Sequence, residues 1–256
     1  MRLKDISLST LDMFRMDPMR IETVEGFNVR GETPALAAHL LWLKESIRQN
    51  GVQTPLTIRL EGEKVLLVDG HTRLRAVKEL ISEGVEFPTG VPCVPEGRNT
   101  THEARTLRLL TANNGLPLSA LEKAEVFHRL MTMGLSVAMI ATQSGYTTKQ
   151  VQNLLTLEDA PDEVREAVRD GQVSATEAIK TVRKHGAEDA PRVLAAGVAR
   201  AKNEGKSRAT AKTLGAPRFT RRRGEEMMQT MQAALDVDDV VVIHTMIRDC
   251  LAAFDE

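Results

Sequence analysis

Apolar residues recur with two different periods in the first third of the chain, and together these periods predict a mixed α/β unit. Between residues 34 and 50 they recur at steps of three and four, the spacing of one helix face, and Gly51 follows as a stop. Residues 56–60 alternate apolar and polar side chains, and residues 65–68 are apolar throughout, so both are predicted strands. A second helix is expected over about 73–83.

The pattern changes after this unit. Residues 91–95 are predicted to form a short edge strand, because their prolines cannot donate to a ladder of hydrogen bonds. Beyond Leu107 helical spacing takes over, and Ser174 and Glu177 form a capping-box pattern at one helix start. Helices are predicted at about 121–131, 137–144, 148–157, 161–170, 175–185, 190–203, 225–235 and 239–254. The predicted fold class is α+β, a small mixed α/β N-terminal domain followed by an all-helical domain and C-terminal helices.

Charge is segregated along the chain, although the net charge is only −1. Residues 1–135 are neutral, residues 136–223 carry a net charge of +6, and residues 224–256 carry −7. The basic block is either a phosphate-binding surface or a solvated helical surface. The acidic end either dimerises the protein or packs on its own chain.

Four segments follow from these patterns. Residues 1–110 are predicted to form the α/β domain and residues 111–204 the helical domain. Residues 205–224, rich in Gly, Lys, Arg, Ser and Thr, are a predicted basic linker, and residues 225–256 form the acidic C-terminal helices.

Composition excludes several classes of protein. Apolar residues make up 42% of the chain, which excludes a disordered tail protein. The sequence has no run of eighteen apolar residues, so no transmembrane span is predicted. Aromatic residues are only 3%, which argues against a single-strand binder with many stacking platforms. Cys93 and Cys250 are too few for a disulfide scaffold or a cysteine-based zinc site. The first residues lack the apolar stretch of a signal peptide, so a soluble, cytoplasmic protein is expected.

The segment 135–155 has the pattern of a helix-turn-helix. Ser136 can cap the first helix, Gly145 suits the sharp turn, and Thr147 with Gln150 forms a capping box for the second helix. The exposed N-terminal half of such a second helix reaches base edges in double-stranded DNA. The alternative is a helical hairpin that only packs. The predicted DNA-binding residues are Ser136, Thr147, Thr148, Lys149, Gln150, Gln152 and Asn153, with Lys206 and Arg208 of the basic stretch on phosphates.

The loop Asp69–Arg73 has the features of an anion site. It leaves an apolar strand, contains Gly70, and enters a helix whose first N–H groups are free to bind an anion. Arg73 either binds phosphate or pairs with Asp69 or Glu79. His71 is either an ordinary loop histidine or a catalyst, and with no third ligand at close spacing no metal site is predicted.

Two strings in the N-terminal part resemble a known family. Residues 46–59 and 68–76, followed by the helix-turn-helix at the expected distance, resemble the ParB/Spo0J chromosome- and plasmid-partition family over about residues 20–185. The resemblance, closest to plasmid and phage variants, implies a ParB/sulfiredoxin-like N-terminal domain and a helical DNA-binding domain. It also implies a homodimer on a palindromic site of double-stranded DNA, acting in partition or in transcriptional regulation on the nucleoid or a plasmid.

The same resemblance implies a nucleotide site, since many members bind CTP with magnesium in the N-terminal domain. Carried over by position, the nucleotide-binding residues are Gln53, Thr54, Gly70, His71, Thr72, Arg73 and Asn113. His71 stands where the family has a glutamate. Residues 111–116, at the position of the family's third conserved motif, lack the Glu and the Arg of that motif. These departures remove residues that serve magnesium and phosphate in the family, and they argue against hydrolysis.

Three hypotheses of function result. The first is a sequence-specific DNA-binding protein of the ParB type. The second is an enzyme centred on Asp69–Arg73, a nucleotide hydrolase, phosphotransferase or nuclease, with His71 as its only catalytic candidate. The third is an adaptor that recruits a partition ATPase through residues 1–35.

Overall fold

The structure is a computed structural model that describes residues 12–111 and 115–215. The described residues divide into two compact units, the first ending at residue 158 and the second beginning at residue 159. The first contains a five-stranded sheet with its helices and the helix-turn-helix segment, and the described part of the second is helical. An α+β fold is thereby confirmed, while the four predicted segment boundaries stay a prediction.

The sheet of the first unit has the strand order β1-β5-β3-β4-β2. β3 and β4 form an antiparallel hairpin, β5 runs parallel to β3, β2 runs parallel to β4, and β1 is antiparallel to β5. A 3-10 helix at Pro18–Arg20 connects β1 to β2. The strands are β1 Phe14–Met16, β2 Ile21–Glu22, β3 Leu56–Glu61, β4 Lys64–Asp69 and β5 Val91–Pro95.

The prediction that residues 91–95 form an edge strand is wrong. Cys93 pairs with Phe14 of β1 on one side and with Leu56 of β3 on the other, so β5 lies inside the sheet. The strand that covers it, β1, has only three residues, and apolar and polar side chains do not alternate clearly between its buried and exposed faces. The side chain of Phe14 in this strand is 48% exposed. Local sequence therefore gave no sign that this edge would be covered.

Two helices pack on the sheet and enclose the first core. α1 spans Pro34–Asn50 and α2 spans His71–Ser82, in agreement with the predicted helices. α2 begins two residues earlier than the pattern indicated, because Gly70 takes up a left-handed conformation as its N-cap. The fully buried members of this core include Ile21, Leu56, Leu74, Val77, Leu80, Val91 and Cys93.

Four further helices complete the first unit around a second core. They are α3 His102–Thr111, α4 Ala120–Thr132, α5 Val137–Ser144 and α6 Thr148–Glu158. Ser119 and Glu122 close a capping box that fixes the start of α4. Phe127 and Leu130 of α4 are fully buried in this core, and Val29 joins it from the N-terminal part of the chain.

The described part of the second unit contains α7 Asp162–Arg169, α8 Ala175–Asn203 and α9 Ala211–Leu214. Gly186, at φ 77° and ψ 170°, breaks α8 between the two helices that the sequence predicted there. Ser174 caps α8 by accepting a hydrogen bond from the Glu177 N–H. The Glu177 carboxylate pairs with Lys180 at 2.8 Å instead of returning to the cap, so only one half of the predicted capping box forms.

The first part of the predicted linker is folded. Ala209 forms a bridge with Val173 and is 2% exposed, and Thr213 of α9 is buried to the same degree. Arg200 of α8 donates a hydrogen bond to the Gly215 carbonyl oxygen at 2.9 Å. Small and polar residues make these contacts, so they could not be distinguished from a linker composition. The segment of the two predicted C-terminal helices, the arginines at 221–223 and Cys250 lie outside the described residues.

Candidate functional site

The two helices at residues 137–158 begin and end as the sequence predicts. The Ser136 hydroxyl accepts a hydrogen bond from the Met139 N–H at 3.3 Å, and Gly145 ends α5 at φ 76°. The Thr147 hydroxyl accepts from the Gln150 N–H at 3.2 Å, while Gln150 Oε1 accepts from the Thr147 N–H at 2.9 Å. These contacts form a complete capping box at the start of α6, so the local signals of a helix-turn-helix are all present.

The buried face of this motif is tied to α4. Ile140 and Val151 are fully buried, and Ala141 is nearly so, in the core that contains Phe127. The Phe127 ring meets the Tyr146 ring edge to face, with centroids 5.4 Å apart. Aromatic pairs of this geometry add stability beyond their buried area. α6 is therefore held rigidly, with its other face toward solvent.

The polar side chains at the start of α6 differ in their exposure and in their intramolecular hydrogen bonds. Thr148, Lys149 and Gln152 are exposed, so they can reach a partner. Gln150 is exposed as well, but its Oε1 accepts hydrogen bonds from both the N–H and the hydroxyl of Thr147. Asn153 is half-buried, and its Oδ1 is enclosed without a hydrogen-bond partner in the described part of the chain.

Two predicted phosphate contacts lie in the second unit. Lys206 and Arg208 are exposed in the segment between α8 and α9. Lys206 pairs with Glu204 at 2.6 Å, and Arg208 donates to the Val173 carbonyl oxygen at 3.5 Å. Both cations extend from a folded surface, and neither is buried.

Glycine is required in the loop between β4 and α2. Gly70 has φ 101°, a conformation that side chains rarely adopt, and a Cβ there would lie 2.5 Å from Leu56 Cδ2. No side chain caps α2. The first N–H groups of the helix, at His71, Thr72 and Arg73, therefore face the loop side without intrahelical acceptors, which is the arrangement that binds anions.

Arg73 is bound to its own chain. Its Nη1 donates to the carbonyl oxygens of Thr54 and Pro55, both at 2.7 Å, and its Nη2 donates to Asp69 at 3.1 Å. Of the alternatives that the sequence left open, pairing with Asp69 is thus present. The guanidinium fixes the segment before β3 against the loop, and Arg73 also lines the adjoining cleft.

His71 is held as a neutral ring. Its centroid lies 5.9 Å from that of Phe27, and its Nε2 is enclosed without a hydrogen-bond partner among the described residues. Burial lowers the pKa of His71 below its ordinary value, and the guanidinium groups of Arg30 and Arg73 lower it further, against an opposing effect of Asp69.

A cleft of about 430 Å³ adjoins the loop Asp69–Arg73. Arg73 and Arg108 line it, and Arg108 has no hydrogen-bond or ion-pair partner within the part of the chain that the structure describes. Arg30 lines it too and donates to the Leu116 carbonyl oxygen. Three arginines thus line the cleft, which is a suitable environment for phosphate.

The cleft contains only part of the predicted nucleotide set. Thr54, Gly70, His71, Thr72 and Arg73 line it. Gln53 is not among the lining residues; its exposed amide donates to the Asn50 carbonyl oxygen. Asn113 lies outside the described residues.

Several lining residues were not predicted from the sequence. They are His39, Trp42, Arg30 and Arg108, from the segment before α1, from α1 itself and from α3. No spacing rule connects these segments to the loop. The one available signal was Trp42, which falls outside the apolar stripe of α1.

The described ranges, 12–111 and 115–215, contain neither a cluster of metal ligands nor a membrane-spanning helix. These residues contain no group of three or more His, Cys, Asp or Glu that could hold a metal ion. None of their helices is both long and apolar enough to span a membrane.

Comparison with known proteins gives one family match. Residues 117–203 match the ParB HTH domain family, a range that begins before α4 and ends with α8. This range contains the two capped helices and the α4 core on which they pack.

Two relatives are similar over about half of this chain. The chromosome-partitioning protein Spo0J of Thermus thermophilus is 33% identical over 133 residues, which is 52% of this chain and 47% of the relative. The stage 0 sporulation protein J of Bacillus subtilis is 28% identical over 135 residues, 52% of this chain and 45% of the relative. The chain thus spans about half the length of the curated relatives it matches.

Among solved structures, one similar chain is the C-terminally truncated chromosome-partitioning protein ParB from Caulobacter crescentus, complexed to the centromeric parS site. It is 18% identical, with a TM-score of 0.49, and the match covers 75% of this chain and 97% of that one.

Proposed function

We propose that this chain, which belongs to the ParB/Spo0J-type family through its helix-turn-helix domain, is a sequence-specific DNA-binding protein that acts in DNA partition or transcriptional regulation. The observation that carries the proposal is the exposed start of α6, where Thr148, Lys149 and Gln152 stand on a helix fixed by a complete capping box. The relative from Thermus thermophilus is a chromosome-partitioning protein by name. A recognition helix of this kind enters the major groove of double-stranded DNA.

The chemistry of these side chains suits base recognition. A glutamine amide can bind adenine through two hydrogen bonds, and a lysine can reach guanine or a phosphate. Gln152 is the favoured base-reading residue, because its amide is exposed and has no intramolecular hydrogen bond among the described residues. Gln150 supports recognition indirectly by holding the start of the helix. Lys206 and Arg208 add phosphate contacts that position the protein without reading sequence.

A homodimer on a palindromic site fits this mode of binding, since two recognition helices then read two half-sites. The acidic C-terminal segment is the proposed dimerisation element. A protein that binds its own replicon would be located on the nucleoid or on a plasmid in the cytoplasm. A partition ATPase is the proposed further partner, recruited through residues 1–35.

A nucleotide, CTP with magnesium, is proposed as a ligand of the cationic cleft. The support is the arrangement of the α2 N-terminus and Arg108 around one cavity large enough for a small ligand. The residues expected to hold the phosphates are Gly70, Thr72 and Arg73, together with Arg108. Because His71 stands where the family has a glutamate, and its Nε2 is enclosed against Phe27 without a hydrogen-bond partner among the described residues, we propose nucleotide binding without hydrolysis.

The decisive experiment is DNA capture with sheared DNA of the protein's own replicon. The purified chain is incubated at moderate salt, with and without CTP and magnesium, and the retained DNA is sequenced. A sharp peak over an inverted repeat is expected. Spreading of the signal from that peak on addition of CTP would support a nucleotide-regulated clamp, whereas a peak that ignores CTP would favour repression. Uniform retention, or none, would contradict sequence-specific binding.

Two variants separate base reading from phosphate contact. Gln152→Ala should reduce discrimination between the site and random DNA about tenfold, within the range for a lost base contact. Lys149→Ala should weaken binding to the site and to random DNA alike. As expected for a lost phosphate contact, the slope of log affinity against log salt concentration should decrease in magnitude by about 1. Gln49→Ala, an exposed glutamine on α1, is the matched control and should change neither. Full site preference in Gln152→Ala would show that α6 is not the recognition helix as assigned.

A further inference from the structure

The cationic cleft has an aromatic wall that the proposed phosphate site does not use. Trp42 lines this cleft from α1, yet its side chain is 64% exposed. The buried positions of α1 are Leu36, Leu40 and Ile47, so Trp42 contributes nothing to the core beneath the helix. An exposed indole that lines a cavity offers its flat face to a ligand in that cavity.

His39 fixes the indole in place. The two rings are stacked, with centroids 5.7 Å apart and an angle of 24° between their planes. The His39 ring also lies against the chain at Gly115, where an added Cβ would be 3.4 Å from its Cε1 and Nε2. Burial lowers the pKa of His39, and Arg30 lowers it further, so the ring beneath the indole is neutral at pH 7. Trp42 is therefore a preoriented flat surface rather than a free side chain.

The lining of the cleft combines two kinds of chemistry. One part is suited to negative charge and consists of the free N–H groups at the start of α2, Arg73 and Arg108. Another part is apolar and consists of Trp42, Leu43 and Leu116. A ligand that matches both parts carries a planar ring and negative charge, which is the chemistry of a nucleotide.

We propose that Trp42 is the base-stacking residue of the nucleotide site, with His39 as the ring that positions it. This inference rests on the proposed nucleotide binding and deepens it. Stacking on an indole does not distinguish strongly among bases, because every base has a π face. Trp42 therefore supplies affinity for the base, and the α2 end supplies affinity for the phosphates.

The test uses the full chain and two probes that share a chain of three phosphates, of which only one carries a nucleoside. Isothermal titration calorimetry measures the binding of CTP and of inorganic tripolyphosphate, each with magnesium. Trp42→Leu is expected to weaken CTP about tenfold, within the range measured for a lost base–aromatic stack, and to leave tripolyphosphate unchanged. Trp42→Phe, which keeps a flat ring, should recover most of the CTP affinity.

The chain also supplies its own optical probe and control. Trp42 is the only tryptophan in the sequence, so CTP should quench the intrinsic fluorescence and tripolyphosphate should not. Leu41→Ala removes the neighbouring exposed side chain, which does not line the cleft, and should bind CTP like the parent. Thermal unfolding followed by circular dichroism establishes that each variant is folded.

The outcomes separate this inference from the function on which it rests. CTP binding that is unchanged in Trp42→Leu would overturn the stacking role and leave the nucleotide site intact. An equal loss of CTP and tripolyphosphate in that variant would also overturn it, because the effect would then lie in the shape of the cleft. Failure of the parent chain to bind any nucleotide would overturn both proposals.

Discussion

Arg73 donates a hydrogen bond from Nη1 to the backbone carbonyl oxygen of Thr54 at 2.7 Å, across nineteen positions of the chain. The same guanidinium binds the Pro55 carbonyl oxygen and the Asp69 carboxylate. It thus connects the segment before β3, the end of β4 and the start of α2. Whatever Arg73 contributes to a ligand, it is first a structural link between the elements that form the cleft.

Replacing Arg73 should therefore cost stability. Arg73→Ala leaves two carbonyl oxygens and a carboxylate without a donor, and such losses cost about 1–3 kcal/mol each when the acceptor is buried. Because water reaches part of this site, we expect a total near the lower end, about 1–2 kcal/mol. Equilibrium urea denaturation of the two proteins measures the difference.

Arg75 offers the matched control on the same helix. It pairs with Glu32 and Glu79 at the surface, where ion pairs contribute about 0–1 kcal/mol. Arg75→Ala should therefore lower the free energy of unfolding less than Arg73→Ala does. An equal decrease in the free energy of unfolding in the two variants would show that the contacts of Arg73 with Thr54 and Pro55 stabilise the fold no more than a surface ion pair does.

Gly70 should tolerate no side chain. Gly70→Ala places a Cβ 2.5 Å from Leu56 Cδ2 in a backbone conformation at φ 101°. Left-handed conformations cost non-glycine residues about 1–3 kcal/mol, and here the steric clash with the core adds to that cost. Gly84→Ala, at φ 88° with open space around the new Cβ, isolates the conformational part. Chemical denaturation should show the larger loss for Gly70→Ala, and the reverse order would refute the steric argument.

The capping box of α6 should matter for stability and for DNA binding together. Thr147→Ala removes the hydroxyl that accepts from the Gln150 N–H, and loss of such a cap costs about 0.5–2 kcal/mol. Thr147→Ser keeps the hydroxyl and is the control. Thermal unfolding and filter binding should show that the alanine variant loses both stability and affinity, and that serine restores both. A stable Thr147→Ala variant with parental affinity would argue that the cap does not order α6.

The elements that sequence predicts best are those with local signals. The capping residues Ser136 and Thr147 bind only neighbours three residues away, so their pattern is legible without tertiary structure. The same is true of α1, whose apolar stripe and terminal Gly51 define its length. By contrast, β1 is short and weakly patterned and was not predicted, so nothing opposed the interpretation of the β5 prolines as those of an edge strand.

The cleft shows why a site is harder to predict than a helix. The loop around Gly70 was legible because a single segment contains the strand end, the glycine and the helix start. Trp42 and Arg108 reach the same cavity from α1 and α3. Only the packing of the first unit brings these residues together, and no local pattern in the sequence predicts contacts between such distant segments. For the same reason, the sequence could not decide between the two roles of Arg73.

Stability should decrease as the pH falls below about 6.5, the ordinary pKa of histidine. Burial lowers the pKa of His71, so in this window the unfolded chain binds a proton there that the folded chain does not. The unfolded state then holds more protons, and acidification favours it. His71→Gln removes this titration, so its stability should fall less steeply than that of the parent between pH 7 and pH 5 in urea denaturation. Burial also lowers the pKa of His39. His39→Gln should therefore remove only the contribution of His39 to the pH dependence of stability. Parallel profiles for His71→Gln and the parent would show that the neutral His71 ring contributes nothing to acid sensitivity.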